Sequence, residues 1–236
     1  MNNQGPLDNL PLSDAEKNLL DKTPVSTGDA KLQALRSQLD SLPDDATLER
    51  AQASLVIAGQ LLDMDRKPEA WQFSRPLVEV LIEHKAFEDA ALACQYVYLA
   101  EQDDAIVAIG QAAWLAVTFP VDPNLTANIL DHIIDETPDN ADGAAVAAAT
   151  AHFVVDVRSE EDQSQELRLF TGAMLARVAK RHSNIENQAD FEIWVEKLEL
   201  NDPDKFLVRL RNVVDVLVQD EWWFHRGDLR REFTGK

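Results

Sequence analysis

Seventy-two consecutive residues, 86–157, contain neither lysine nor arginine, although the 236-residue chain carries 22 of these bases in all. The same stretch holds twelve Asp and Glu residues and eighteen Ala. A helical carboxylate is ordinarily balanced by a base three or four positions away, and no helix inside 86–157 can do this with its own residues. The stretch therefore reads as a close-packed layer of small-residue helices with a negative exterior. Such a surface suits the receipt of positive groups, or simply solubility.

Cysteine is almost absent. A single Cys94 excludes an internal disulfide and a thiolate zinc cluster, each of which needs at least two sulfurs. It fits a reducing compartment. Its setting, Ala90-Ala91-Leu92-Ala93-Cys94, offers no neighbouring base to activate a thiolate, so it reads as a small core residue. No uninterrupted apolar run is long enough for a membrane span, and Met1 to Leu12 lack the basic and apolar regions of a secretory leader. The expected location is cytoplasmic.

Signatures of chemistry are missing too. There is no glycine-rich phosphate loop, no serine nucleophile elbow and no His-Glu-x-x-His run. The residues three positions before the five histidines are Leu81, Ile129, Ala149, Ala179 and Trp222, so the Glu-x-x-His ligand pairs of a di-iron bundle do not occur. His132 with Glu136, His152 with Asp156, and Asp131 with Asp135 each stand one helical turn apart. Each pair supplies two ligands where a metal site needs three or four. No cofactor and no metal is expected. An enzyme would need carboxylates converging from separate helices.

What is present is acid, unevenly spread. Residues 1–204 hold 37 acids against 15 bases, a net charge of −22, whereas 205–236 hold 5 acids against 7 bases, a net +2. The body repels phosphate backbones and anionic bilayers, so neither nucleic acid nor membrane is an expected partner. A protein partner with a basic segment is.

Apolar spacing predicts helices almost throughout. Residues 1–28, with Pro6, Pro11 and Pro24 among Asn, Asp, Ser and Gly, read as a mobile arm with a short helical stretch at Ser13 to Leu20. Leu32, Leu35 and Leu39 begin the helical domain, 29–224, and Pro43 closes its first helix. Asp45 or Thr47 can cap a helix to about Asp65, and a single helix is predicted from Pro68 to Lys85. Phe87 to Glu101 follows, then a helix capped by Asp103 and ended by Pro120. Asp122-Pro123 and Asp202-Pro203 each place an acceptor side chain before a proline that needs no hydrogen-bond donor, a strong helix start. Asp139 or Asn140 opens an Ala-rich helix to about Val157, and further helices are expected over 160–182, 188–200 and 203–224, before a tail, 225–236, with a short end piece over 228–233. Gly59, Gly110 and Gly172 stand inside helical patterns and are expected to permit close helix crossings. No alternating strand pattern occurs. The fold class is all-α, with antiparallel helix pairs joined by short loops, either stacked as a solenoid or closed as a bundle.

Lys67-Pro68-Glu69-Ala70 with Ser74, and Phe87-Glu88-Asp89-Ala90 with Cys94, resemble the start of the second helix in tetratricopeptide-type repeats. The resemblance covers about residues 50–157 and implies a tetratricopeptide-like α-helical repeat that binds proteins or peptides. The two alanines stand 20 residues apart, and the Trp-x-x-Leu-Gly-x-Tyr signature of the family is absent.

The segment Asp220 to Phe233 gathers Trp222, Trp223, Phe224, Arg226, Arg230 and Arg231. Trp and Arg dominate binding hot spots because they bury large area at modest entropic cost. Three successive aromatics cannot all face inward on one helix, so this segment either folds over the last helices as a cap or serves as a docking element. The functional expectation is a non-catalytic scaffold or adaptor, such as an assembly factor. Glu101, Asp103, Asp104, Asp131, Asp135 and Asp139 would make the electrostatic contact, with Trp222, Trp223, Arg226 and Arg230 as anchors. The alternatives are a self-associating protein whose basic tail docks on a neighbour's acidic middle, or an enzyme with a diffuse site.

Overall fold

The computed structural model describes residues 27–234, with the side chains of 161–164 and 234 left aside. The arm expected over 1–28, including Ser13 to Leu20, therefore lies outside the described residues except at its last two positions. Twelve helices, and no strand among the described residues, make the fold all-α. In chain order they are α1 (Thr27–Ser41), α2 (Thr47–Asp63), α3 (Lys67–Ser74), α4 (Leu77–Glu83), α5 (Phe87–Leu99), α6 (Ala105–Thr118), α7 (Pro123–Asp135), α8 (Asp142–Arg158), α9 (Glu161–Ser183), α10 (Gln188–Lys197), α11 (Pro203–Val218) and α12 (Arg226–Thr234).

Each helix from α1 to α9 packs on its neighbour in sequence, as short connections demand. The exception to a simple procession is α11, which folds back and lies against both α6 and α8. That return places α8 between α7, α9 and α11. Only a helix of small residues fits there. Ala144, Ala145, Ala147, Ala148 and Ala151 are fully buried, and a side chain at Gly143 would press on Thr137 and Val213 at 3.1 and 3.2 Å. One continuous core runs through α2 and α4–α11, and a smaller cluster of Leu32, Ile57, Leu61 and Ala70 fastens α1 to α2 and α3.

The turns are built with little glycine. Asp65, Lys85, Glu101, Asn184 and Glu199 take the left-handed conformation, with φ between 54° and 59°, just beyond a helix end. At Asp65 and Lys85 the next residue closes the turn by donating its N–H back across it, Arg66 to Leu61 O and Ala86 to Leu81 O, at 2.8 and 2.9 Å. The two hairpins these turns make are superposable in sequence: Ala70 and Ala90 stand four residues past Arg66 and Ala86, donate to their carbonyls, and are fully buried.

Several boundaries differ from the sequence expectation. The helix predicted over 68–85 is interrupted at Arg75-Pro76, since Pro76 has no N–H to continue the ladder. Neither Asp45 nor Thr47 caps α2, whose N-cap position is Ala46, and Asp103 does not cap α6, whose N-cap position is Asp104 without a side-chain cap bond. The Ala-rich helix begins at Asp142 behind Ala141, not at Asp139 or Asn140. The Asp-Pro starts hold: Asp122 accepts from the N–H groups of Asn124 and Leu125, and Asp202 from that of Asp204. The last long helix stops at Val218, where Gln219 takes φ 54° and ψ −126°, so Trp222, Trp223 and Phe224 lie in an irregular segment and not on a helix. Of the three helical glycines, Gly59 and Gly110 do sit at crossings, against Tyr96 and Val218, whereas Gly172 faces open space.

The missing bases of 86–157 are supplied from outside the stretch, and they do two jobs. Arg158 ends it, and its half-buried guanidinium donates to the carbonyls of Ala116, Val117 and Val121 at 2.8, 2.9 and 3.3 Å, sealing the C-terminal end of α6. Arg181 of α9 does the same for α7 through Ile134 O and Thr137 O, Arg50 for α1 through Leu39 O and Leu42 O, and Arg209 for α10 through Leu198 O. A helix C-terminus carries unpaired carbonyls and partial negative charge, so a guanidinium fork reaching in from a neighbouring helix satisfies both.

Candidate functional site

The second job is charge balance. Lys67 pairs with Glu101 at 2.7 Å, and Arg75 with Asp104 at 3.5 Å while the Trp71 indole donates to the same carboxylate at 2.7 Å. From α9, Arg177 joins Asp131 and lies 3.8 Å from Asp135, Arg181 reaches Asp139 at 3.2 Å, and Arg168 holds Asp156 at 2.6 Å. Arg209 and His182 meet on Asp142. Of the acids expected to receive a partner, Glu101 is thus held by Lys67, Asp104 by Arg75 and Asp139 by Arg181, Asp131 and Asp135 share Arg177, and Asp103 is exposed at the turn before α6.

The acidic groups that converge on a concave surface are Glu101 and Glu136. Both line a cleft of about 480 Å³ formed by the end of α5, the start of α6 and the end of α7. Tyr98, Gln102, Ile106 and His132 line the rest of it, and among the described residues no lysine or arginine does. The wall is ordered: the Tyr98 hydroxyl donates to Glu136 Oε1 at 2.7 Å, and the His132 ring packs on the Tyr98 ring at 4.9 Å. Burial pushes the Tyr98 phenol up from its ordinary range, helped by the hydrogen bond it donates to Glu136. Burial also holds the His132 imidazolium below its ordinary range, against the pull of Asp131, Asp135 and Glu136. At neutral pH the cleft therefore offers two neutral aromatic faces, one exposed isoleucine and two carboxylates. That combination suits an ammonium or guanidinium on an aliphatic stem.

Sequence spacing named Glu101 and saw His132 with Glu136 only as two ligands of an incomplete metal set. Tyr98 was not singled out. The signal was there for His132 and Glu136, one helical turn apart at the end of α7, but not for Tyr98 and Glu101, since Glu101 lies past the end of α5 in the left-handed turn. What spacing could not supply is that the two helix ends meet in one cleft. Among the described residues no group of three or more His, Cys, Asp or Glu is arranged to hold a metal ion. Cys94 is fully buried, and burial raises its thiol far above the reactive range.

The C-terminal segment packs on the chain's own body. Trp222 and Phe224, both half-buried, meet Trp114 of α6 at 6.1 and 5.5 Å between ring centroids. The Trp223 N–H donates to Oε1 of the fully buried Gln111 at 2.9 Å, and Arg75 stacks over the Trp223 ring at 3.6 Å. Arg226 lies over Trp222 at 3.8 Å and pairs with Asp215 at 2.6 Å, while Arg230 lies 5.9 Å over Trp114. Phe233 closes the end of the segment on Phe119 at 5.2 Å.

The fold and this site define a class, an all-α protein of successive helical hairpins with a C-terminal helix folded back over them. The chain matches no protein-family model, no curated protein and no solved structure.

Proposed function

We propose that the protein is a non-catalytic adaptor that binds a basic segment of a partner protein in the cleft between α5, α6 and α7. The observation that carries this is the cleft itself, lined by Glu101 and Glu136 together with Tyr98, Ile106 and His132, with Lys67 beside it on Glu101. Asp104, Asp131, Asp139 and Asp142 are held in ion pairs by Arg75, Arg177, Arg181 and Arg209, whereas in the cleft Glu101 meets Lys67 and Glu136 accepts from the Tyr98 hydroxyl, which places two carboxylates where the surface is also concave. A Lys or Arg side chain entering there lays its stem on the rings and exchanges Lys67 for its own charge at Glu101.

The matching turns at Asp65 and Lys85, each followed by a buried alanine, support a tetratricopeptide-like arrangement of the hairpins, an architecture that serves binding and not chemistry. No described helix is long and apolar enough to cross a membrane, and we place the adaptor in the cytoplasm. Self-association through the tail is the weaker reading, since Trp222, Trp223 and Arg226 would first have to leave their contacts with Trp114, Gln111, Arg75 and Asp215.

Fluorescence anisotropy of a labelled Lys/Arg-rich peptide against the full chain tests this. The peptide is expected to bind, to associate more slowly as salt rises through the range where the screening length shrinks to about 8 Å, and to lose about tenfold in affinity or more with Glu101→Gln plus Glu136→Gln. Equal binding of a Glu-rich peptide of the same length, or full affinity of the double variant, would overturn the assignment.

A further inference from the structure

We propose that the pocket enclosed by α8, α9, α10 and the start of α11 is a small-molecule site that takes a primary amine carried on one aromatic ring. The pocket exists because α10 sits unlike its neighbour α8. The alanines of α8 let it wedge closely among α7, α9 and α11, whereas α10 rests on the body through side chains, among them Phe191 and Trp194, which tilt together at 5.8 Å between ring centroids. Beneath α10 a half-open cavity of about 340 Å³ remains, at the small end of ligand-site volumes. Phe153 and Phe206, edge to face at 5.8 Å, line it with Leu175 and Leu200, and Phe191 and Val195 enter from α10. A lining of rings and aliphatic groups with polar atoms gathered on α8 suits one ring with a short polar arm.

The polar atoms fix what that arm must present. His152 and Asp156, one turn apart on α8 and too few to hold a metal, both line this pocket. The fully buried Thr171 donates its one hydroxyl hydrogen to Leu167 O at 2.9 Å, so His152 Nδ1, 2.9 Å from Thr171 Oγ1, carries a proton and donates it there. In the neutral ring Nε2 is then a bare acceptor. Asp156 gives Oδ1 to Arg168 at 2.6 Å, and its Oδ2 stands 3.9 Å from His152 Nε2. Among the described residues no donor bonds either atom. Two acceptors so placed cannot bond each other, but one nitrogen with two or more hydrogens can stand about 2.9 Å from both. Arg168 is held by Asp156 and does not line the pocket, and the exposed Asn201 amide can donate or accept, so neither selects the ligand. A carboxylate meets only acceptors at the His152–Asp156 pair, and a hydroxyl, with one hydrogen, satisfies one of the two. The requirement is for hydrogens, whatever the net charge around the mouth.

Phenethylamine is the probe, with phenethyl alcohol and phenylacetate as its hydroxyl and carboxylate counterparts, each titrated against the full chain at mildly alkaline pH and followed by amide and imidazole NMR. Before any addition the His152 ring should show the Nδ1–H tautomer. Phenethylamine should then shift signals of His152, Leu175, Val195 and Phe206, and bind about tenfold or more tighter than either counterpart. His152→Phe keeps a ring and removes Nε2, and Ala149→Leu fills the cavity from its own lining, and each should weaken phenethylamine about tenfold or more. Circular dichroism and the Tm identify a variant that has lost its fold, and the tautomer and the three-probe comparison need no variant. The Nε2–H tautomer, equal binding of the alcohol or the carboxylate, unaltered affinity in both folded variants, or no binding overturns the proposal. Shifts confined to Tyr98, Ile106 and His132 would place the amine in the acidic cleft and overturn it too.

Discussion

The acid-rich middle, α5 to α8, and the C-terminal part, α11 and α12 with the segment between them, solve the packing problem in opposite ways. The middle has no lysine or arginine over 86–157 and closes largely on alanine, with Trp114 and Phe119 as its large buried rings, so its helices approach tightly and its carboxylates are left for other elements to balance. The C-terminal part closes on Trp222, Trp223, Phe224 and Phe233, and its guanidiniums lie on rings, as Arg226 does on Trp222. Small residues allow neighbours to approach but specify little about which neighbour. Rings and guanidiniums specify the neighbour and leave troughs between them. The difference explains why a concave acidic cleft arises in one region and an apolar trough rimmed by Arg211 and Arg230 in the other.

The sharpest way to break the comparison is at the junction of the two regions. Trp114→Ala removes the ring on which Phe119, Trp222 and Phe224 all pack, and is expected to cost about 3–5 kcal/mol in urea unfolding. A smaller loss would mean that the C-terminal segment is held mainly by its arginines. Gly110→Ala comes next. Its new methyl would overlap Val218, at an expected cost of about 1–3 kcal/mol. Adding Val218→Ala should recover part of that loss, and strict additivity in the double-mutant cycle would show that the crossing is not the close contact described.

Arg158→Met tests whether the middle depends on bases from outside it. The three carbonyls of Ala116, Val117 and Val121 lose their donor, and a loss of about 1–3 kcal/mol is expected. Arg158→Lys should recover little, since an ammonium cannot fork across three acceptors.

The His132 effect is smaller and depends on pH. Its folded pKa lies below the unfolded value of 6.5, so both states are neutral well above that pH and the group contributes no slope there. As pH falls through 6.5 the unfolded chain takes up the proton first, and stability declines until the folded value is passed. His132→Asn should flatten that part of the stability profile, and an unchanged slope would remove His132 as its source. The smallest effect is a gain. Gly172 has nothing within 4 Å of an added Cβ, so Gly172→Ala should raise stability by up to about 1 kcal/mol in thermal unfolding.

Much of the fold was legible because its signals are local. Asp122-Pro123 and Asp202-Pro203 carry their own hydrogen-bond logic and mark true helix starts. Gly110 reads as a crossing because an alanine-rich context asks for one. Gly172 looks the same in sequence and faces open space, since only the partner helix decides which glycine is needed. The end of α11 was misplaced for a related reason. The apolar run continues to Phe224, but the attachment of Trp222 and Trp223 to Trp114 and Gln111, on a helix more than one hundred residues earlier, pulls the chain out of helical register. The site was legible in halves. Glu101 and Glu136 were each visible near a helix end, and their meeting in one cleft was not. The pairing of Asp131, Asp135 and Asp139 with arginines of α9 was equally out of reach of local spacing.

Amide and indole NMR of the uniformly labelled chain, titrated in turn with the Lys/Arg-rich peptide and a Glu-rich peptide of the same length, tests the central claim of a site for a basic segment in the cleft between α5, α6 and α7. The basic peptide should shift signals of Tyr98, Glu101, Ile106, His132 and Glu136 and leave those of the distant Trp114 and Leu210 in place, and the Glu-rich peptide should move none of the cleft signals. Overlapping shifts for the two peptides, or shifts scattered over the surface, would contradict it.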